Sequence, residues 1–165
     1  MQLNPRFAQQ RQASLADLEH VEIDRPIIDL VRAFNRLPHC FTLQSCYGHF
    51  LWSPCQDPYN LERLPSEDLG GPIEYRIAYL ALCLDNSETG RALLRDLKLV
   101  VRLDPDCVQF GSADWFWTKQ VNSYVLQVEP RRFQDRDQTA LAFQEARHIE
   151  CVRGRFFEAL SRLVG

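Results

Sequence analysis

The chain has 165 residues, 45% of them hydrophobic and 25% charged, an ordinary globular composition long enough to bury a core without staples. Its net charge of −3, with two lysines among 19 basic residues, argues against a protein that grips nucleic acid by bulk electrostatics. No apolar run reaches the roughly 18 residues of a membrane span, and the Met1–Arg6 segment lacks a basic-then-apolar secretion signal, so a cytoplasmic protein with no membrane contact is expected. The six cysteines then read as reduced thiols rather than disulfides.

Residues 1–22 read as a loosely packed N-terminal helix with no strong stop signal. A clearer helix follows. Asp24 is placed to cap it, Pro26 sits in its first turn, and Ile27, Val31 and Phe34 recur at i, i+4 and i+7. It should end near Leu37-Pro38. Cys40 to Ser45 reads as a strand, closed by a tight turn at Gly48. Residues 53–72 carry four of the breakers Pro and two Gly, which makes a long loop of the kind that often serves function. Ile73 to Asp85 reads as a central strand, and Asn86 as the cap of a helix whose apolar face is Leu93, Leu94, Leu97, Val100 and Val101. Two further strands are expected near 107–113 and 121–129, then a helix over 138–163 with Ile149, Val152, Phe156 and Leu160 on one face. The expected fold is α+β, a single domain of order α-α-β-β-α-β-β-α with one mixed or antiparallel sheet covered by helices.

Neither G-x-G-x-x-G nor G-x-x-x-x-G-K-[ST] occurs, so the two common nucleotide-binding loops are absent. The densest group of reactive side chains is His39, Cys40, Ser45, Cys46, His49 and Cys55. Cys46-x-x-His49 has ligand-like spacing, but no second such pair completes a zinc set, so no metal is expected. The same pair could be a thiol nucleophile and its base, or Ser45 and Gly48 could simply build a turn over a packed cysteine. A second group, Trp115, Trp117 and Lys119, lies between two expected strands and could stack a base or an adenine ring, or cover the sheet. Arg131 and Arg132 follow the last expected strand and could meet a phosphate.

The string Ile23-Asp24-x-x-Ile27-Ile28-Asp29-Leu30-Val31, then Asn35, then Phe41-Thr42-x-x-Ser45-Cys46-x-Gly48, resembles the tRNA wybutosine-synthesising methyltransferase family, the third enzyme of that pathway. Members of that family show a Val-Asp helix start leading into Phe-Thr-Thr-Ser-Ser-Cys-Ser-Gly-Arg. The resemblance covers residues 23–50, and beyond them only the order of elements matches. It implies an α/β fold outside the usual methyltransferase class, S-adenosylmethionine as methyl donor, and a modified guanosine of tRNA as acceptor. It carries Asp24, Ser45, Cys46 and Gly48 over position by position. His49 stands where the family has arginine, Tyr47 where it has a small residue, Leu18–Glu22 where it has a lysine-rich segment, and Leu80 where it has a histidine.

The expected site therefore holds Asp24, Ser45, Cys46 and His49 as catalytic residues. Ser45, Gly48, Trp115 and Trp117 would hold the cofactor, and Lys119, Arg131 and Arg132 the substrate. The alternatives are a non-catalytic binding module on the same fold, for a small molecule or a protein, and a thiol or zinc protein centred on Cys46 and His49.

Overall fold

Leu80, Leu82 and Leu84 alternate with Ala81 and Cys83 along β4 (Ala78–Leu84), and both sets are fully buried. A strand apolar on both faces must lie between two layers. In the computed structural model, which describes residues 1–68, 70–113, 120–133 and 136–165, β4 is the centre of the molecule. It pairs antiparallel with β1 (Cys40–Cys46) on one side and β6 (Ser123–Val128) on the other, and β6 pairs with β5 (Val108–Ser112), giving the order β1-β4-β6-β5. A second antiparallel sheet has the order β2-β3-β7, from His49–Leu51, Ile73–Arg76 and Gln138–Leu141.

The leucine face of β4 receives α2 (Ile28–Arg36), α3 (Glu88–Leu99) and α4 (Phe143–Val164). Phe34, Leu97, Ile149, Phe156 and Leu160 are fully buried there, each contributing about 1.5–3 kcal/mol of transfer free energy. The opposite face is covered by α1 (Phe7–Asp17), whose Phe7 packs on Phe41 with ring centroids 5.3 Å apart.

The α+β class and the order of the main elements stand as the sequence implied. The strands are divided between two sheets because the run from Ile73 breaks at Ile77, whose N–H bonds to Asp137 rather than to a ladder partner. Tyr75 bridges that break. Its hydroxyl donates to Val128 O at 2.9 Å and accepts from Ala78 N–H at 3.0 Å. The segment 138–141, expected as the start of the last helix, is strand β7, and α4 begins at Phe143. Ser87, not Asn86, caps α3, accepting Gly90 N–H at 3.2 Å. The N-terminal helix is also tied down rather than loose. Arg11 donates to Asn35 O at 2.7 Å, Leu37 O at 3.3 Å and Cys40 O at 3.2 Å, satisfying carbonyls where α2 ends. No described helix is long and apolar enough to cross a membrane.

Candidate functional site

A bulge in β1 sets the site. Pairing with β4 shifts between Thr42 and Gln44, so Leu43 is an extra residue and every later side chain changes face. Cys46 consequently falls opposite Tyr79. After Cys46 only Tyr47 and Gly48 separate β1 from β2, so the chain leaves one sheet and enters the other within two residues. Gly48 makes this possible with φ +87°.

Asp24 stands at the N-cap position of the short 3₁₀ turn Arg25–Ile27, but its side chain caps nothing there. Its Oδ2 instead accepts Tyr47 N–H at 2.7 Å and lies 3.4 Å from His49 Nε2. The expected helix cap is thus turned to the strand connection, 23 residues away in sequence. Cys46 Sγ accepts Gly48 N–H at 3.4 Å. The donor atoms of Asp24, Cys46 and His49 all lie within 4.8 Å of one another.

The other ring nitrogen of His49 is held from the long loop. Nδ1 is 3.0 Å from the carbonyl oxygen of Asn60, an acceptor only, which fixes a proton on Nδ1. Asn60 is buried and fixed in turn, donating to Phe50 O at 3.1 Å and accepting from Glu62 N–H at 2.9 Å. Nothing local in the sequence marks Asn60; its signal is only that a polar residue sits among the breakers of 53–72.

Burial, the largest single influence, pushes the His49 pKa down. The Asp24 hydrogen bond, the contact with Cys46 and the Asn60 carbonyl outweigh it and raise the value to about 10. Burial likewise pushes the Asp24 pKa up, but His49 and the Tyr47 N–H hold it below its ordinary value. The pair is therefore charged at neutral pH. Because the folded value for His49 lies above 6.5, its stabilisation is complete below pH 6.5 and is lost as pH rises through about 10. Unfolding by urea should become easier across that window, and the His49 ring protons should titrate near its upper end in NMR spectra. The His49→Gln variant should lack this fall.

Sequence reasoning missed Arg153. It is buried on α4, donates to Gly48 O at 2.6 Å, and lies 4.2 Å from the Tyr47 ring centre and 4.9 Å from that of Phe50. Tyr47 also stacks on Phe157 at 5.3 Å. A signal existed: Arg153 falls at i+4 from Ile149 and i−3 from Phe156, a cation on the apolar face of the last helix.

The structure brings together Asp24, Cys46, Gly48 and His49. Ser45, one residue earlier on β1, lines a neighbouring cavity of about 440 Å³ together with Glu22, Ile23, Leu43 and Gln120. Arg131 and Arg132 lie elsewhere: Arg131 donates to Pro105 O at 2.9 Å, and Arg132 pairs with Glu145 at the start of α4. Glu145 lies eight residues before Arg153 on that helix, about 12 Å along its axis. The two arginines are not part of the Asp24 cluster. Trp115, Trp117 and Lys119 lie outside the described residues.

No family model matches the chain, and no curated protein matches it. Among solved structures, the PH1069 protein from Pyrococcus horikoshii superposes over 99% of this chain and 96% of its own, with a TM-score of 0.52 and 15% identity. The two share a fold. A second structure of PH1069, from Pyrococcus horikoshii OT3, gives 0.49 at 17% identity, covering 99% of this chain and 94% of that one. A hypothetical protein from Aeropyrum pernix gives 0.44 at 10% identity, covering 86% and 95%.

Proposed function

We propose that this protein is a divergent relative of the tRNA wybutosine-synthesising methyltransferases, binding S-adenosylmethionine beside the turn at 45–49. One observation carries the reading. The two segments that the resemblance names, around Asp24 and around Ser45-Cys46, flank one cavity of about 440 Å³, within the ordinary range for a small-molecule site.

The residues present fit such a ligand. Gln120 lines the cavity, and its Oε1 is buried with no hydrogen-bond partner among the described residues, leaving an acceptor for a ligand N–H. Ile23 lines the cavity, and the ionised Asp24 that follows it in sequence, paired with His49, keeps 20% of its side chain exposed. When bound, S-adenosylmethionine supplies an electrophilic methyl group. The chain's own part is to hold it: Ser45 offers a hydroxyl and Gln120 an amide oxygen.

A guanosine of tRNA is the acceptor class that the resemblance supplies. Net charge −3 and the engagement of Arg131 and Arg132 within the fold leave few cations for a helical stem. Calorimetric titration is expected to give one S-adenosylmethionine per chain, weakened at least tenfold in Gln120→Leu. Filter binding is expected to give only weak retention of tRNA at physiological salt. Absence of heat with S-adenosylmethionine in excess would overturn the reading. Tight, steeply salt-dependent tRNA binding would overturn the charge argument alone.

A further inference from the structure

Two acceptors facing each other at short range need a positive charge between them. Nδ1 of His49 is protonated toward Asn60, and in the metal-free protein the positive charge between Nε2 and the Asp24 carboxylate, 3.4 Å away, is the imidazolium proton. That separation is long for an N–H···O hydrogen bond, which favours about 2.7–3.2 Å. It matches the edge of a zinc tetrahedron, roughly 3.4 Å for Zn–N and Zn–O bonds of about 2.0–2.1 Å. Cys46 Sγ lies within 4.8 Å of both other donors, against a corresponding edge to sulfur of roughly 3.6 Å.

We infer that Asp24, Cys46 and His49 form a three-donor site for one borderline-soft divalent cation of the zinc class, with a fourth position open. The donor set of one carboxylate, one thiolate and one imidazole suits such an ion. The Asn60 carbonyl on Nδ1 is the outer contact that orients metal-binding histidines, and Asn60 is itself fixed by two further hydrogen bonds. The 20% exposure of the Asp24 side chain leaves a path for water or a ligand to the fourth position. Binding exchanges the dication for the Nε2 proton and the Cys46 thiol proton, with no change of oxidation state. The sequence spacing supplied two of the donors; the third comes from the N-cap of the 3₁₀ turn before α2, beyond the reach of any local motif.

A second trio offers an internal control. Asp104, Cys107 and His148 also group within 4.8 Å. There, however, His148 Nε2 sits 2.8 Å from Asp104 Oδ2, the length of a direct hydrogen bond, and the imidazole is 58% exposed. That pair is closed by a direct hydrogen bond in an open setting, whereas the Asp24–His49 gap is wider and buried.

This inference goes beyond methyl transfer and does not rest on it. The test uses the full chain, stripped with chelator and titrated with Co²⁺, which reports thiolate ligation by a near-ultraviolet charge-transfer band. One cobalt per chain is expected, with that band and the strong visible bands of a tetrahedral ion, both displaced by Zn²⁺. Cys46→Ser should abolish the charge-transfer band, and His49→Gln should weaken binding at least tenfold. Cys107→Ser and His148→Ala should leave spectrum and stoichiometry unchanged. Should His49→Gln fail to fold by circular dichroism, the Cys46→Ser spectrum decides alone. A folded wild-type chain that gives no thiolate band in excess cobalt, or a band that survives Cys46→Ser, would overturn the site. Since the readout is the metal spectrum, failure here leaves S-adenosylmethionine binding to be judged by its own titration.

Discussion

The Asp24→Asn variant is expected to lose about 3 kcal/mol of unfolding free energy in the metal-free protein. The substitution keeps an oxygen for the Tyr47 N–H but removes the charge beside a His49 side chain that is only 5% exposed. Breaking a buried pair by deleting one partner costs about 3–5 kcal/mol, because the other charge is left uncompensated. Here the lower end applies, since Asp24 keeps some solvent contact and His49 can shed its proton. That second route has a signature. With Asp24 neutral, burial dominates, and the His49 pKa should drop far below the value of about 10 that the pair sustains. Urea unfolding at pH 7 measures the stability, and the ring-proton titration measures the pKa. Asp29→Asn is the control. Asp29 is fully exposed and 3.9 Å from Arg32, so no measurable change is expected. An Asp24→Asn protein as stable as wild type, with His49 still titrating near 10, would show that the carboxylate does not hold the imidazolium.

Gly48→Ala should be at least as damaging. A Cβ at this position would lie 2.7 Å from Ala78 Cβ and 2.9 Å from Ala78 N, inside the contact distance of a central strand that cannot step aside. The φ of +87° adds strain for any L side chain, about 1–2 kcal/mol. Overpacking against rigid backbone typically costs another 1–3 kcal/mol. A combined loss of about 4 kcal/mol corresponds to a fall of roughly 8–16 °C in Tm for a chain of this size. Gly154→Ala makes the opposite prediction. Gly154 sits exposed within α4 with nothing within 4 Å of an added Cβ, so alanine should stabilise by up to about 1 kcal/mol. Thermal melts of the two variants decide this. Similar Tm values for Gly48→Ala and wild type would mean that the turn yields where the packing says it cannot.

What the sequence discloses, and what it hides, follows from the range over which its signals act. Helix α2 and strand β1 were legible because spacing and breakers are local, and the Cys46/His49 spacing marked the turn. The third member of the trio, Asp24, reached the site only through the family resemblance, since its contact with Tyr47 spans 23 residues. Arg153 lies 105 residues from Gly48, and a lone arginine in an arginine-rich chain carries no motif. Strand β7 was hidden for another reason: Gln138–Leu141 buries only Thr139 and Leu141, and two alternations are too few to outweigh the helical pattern that follows. The two-sheet division was masked by the continuous apolar run from Ile73, in which one interrupted ladder position leaves no compositional trace.

The hydroxyl of Tyr75 gives that division a dynamic consequence. Cys46 ends a strand of one sheet and His49 begins a strand of the other, so relative motion of the sheets would pull the cluster apart. Tyr75 belongs to the second sheet, yet its fully buried oxygen is bonded to Val128 and Ala78 of the first. It acts as a dowel between two plates. Opening them breaks two hydrogen bonds in the dry interior at once, so the Ala78 amide should exchange with solvent only on global unfolding.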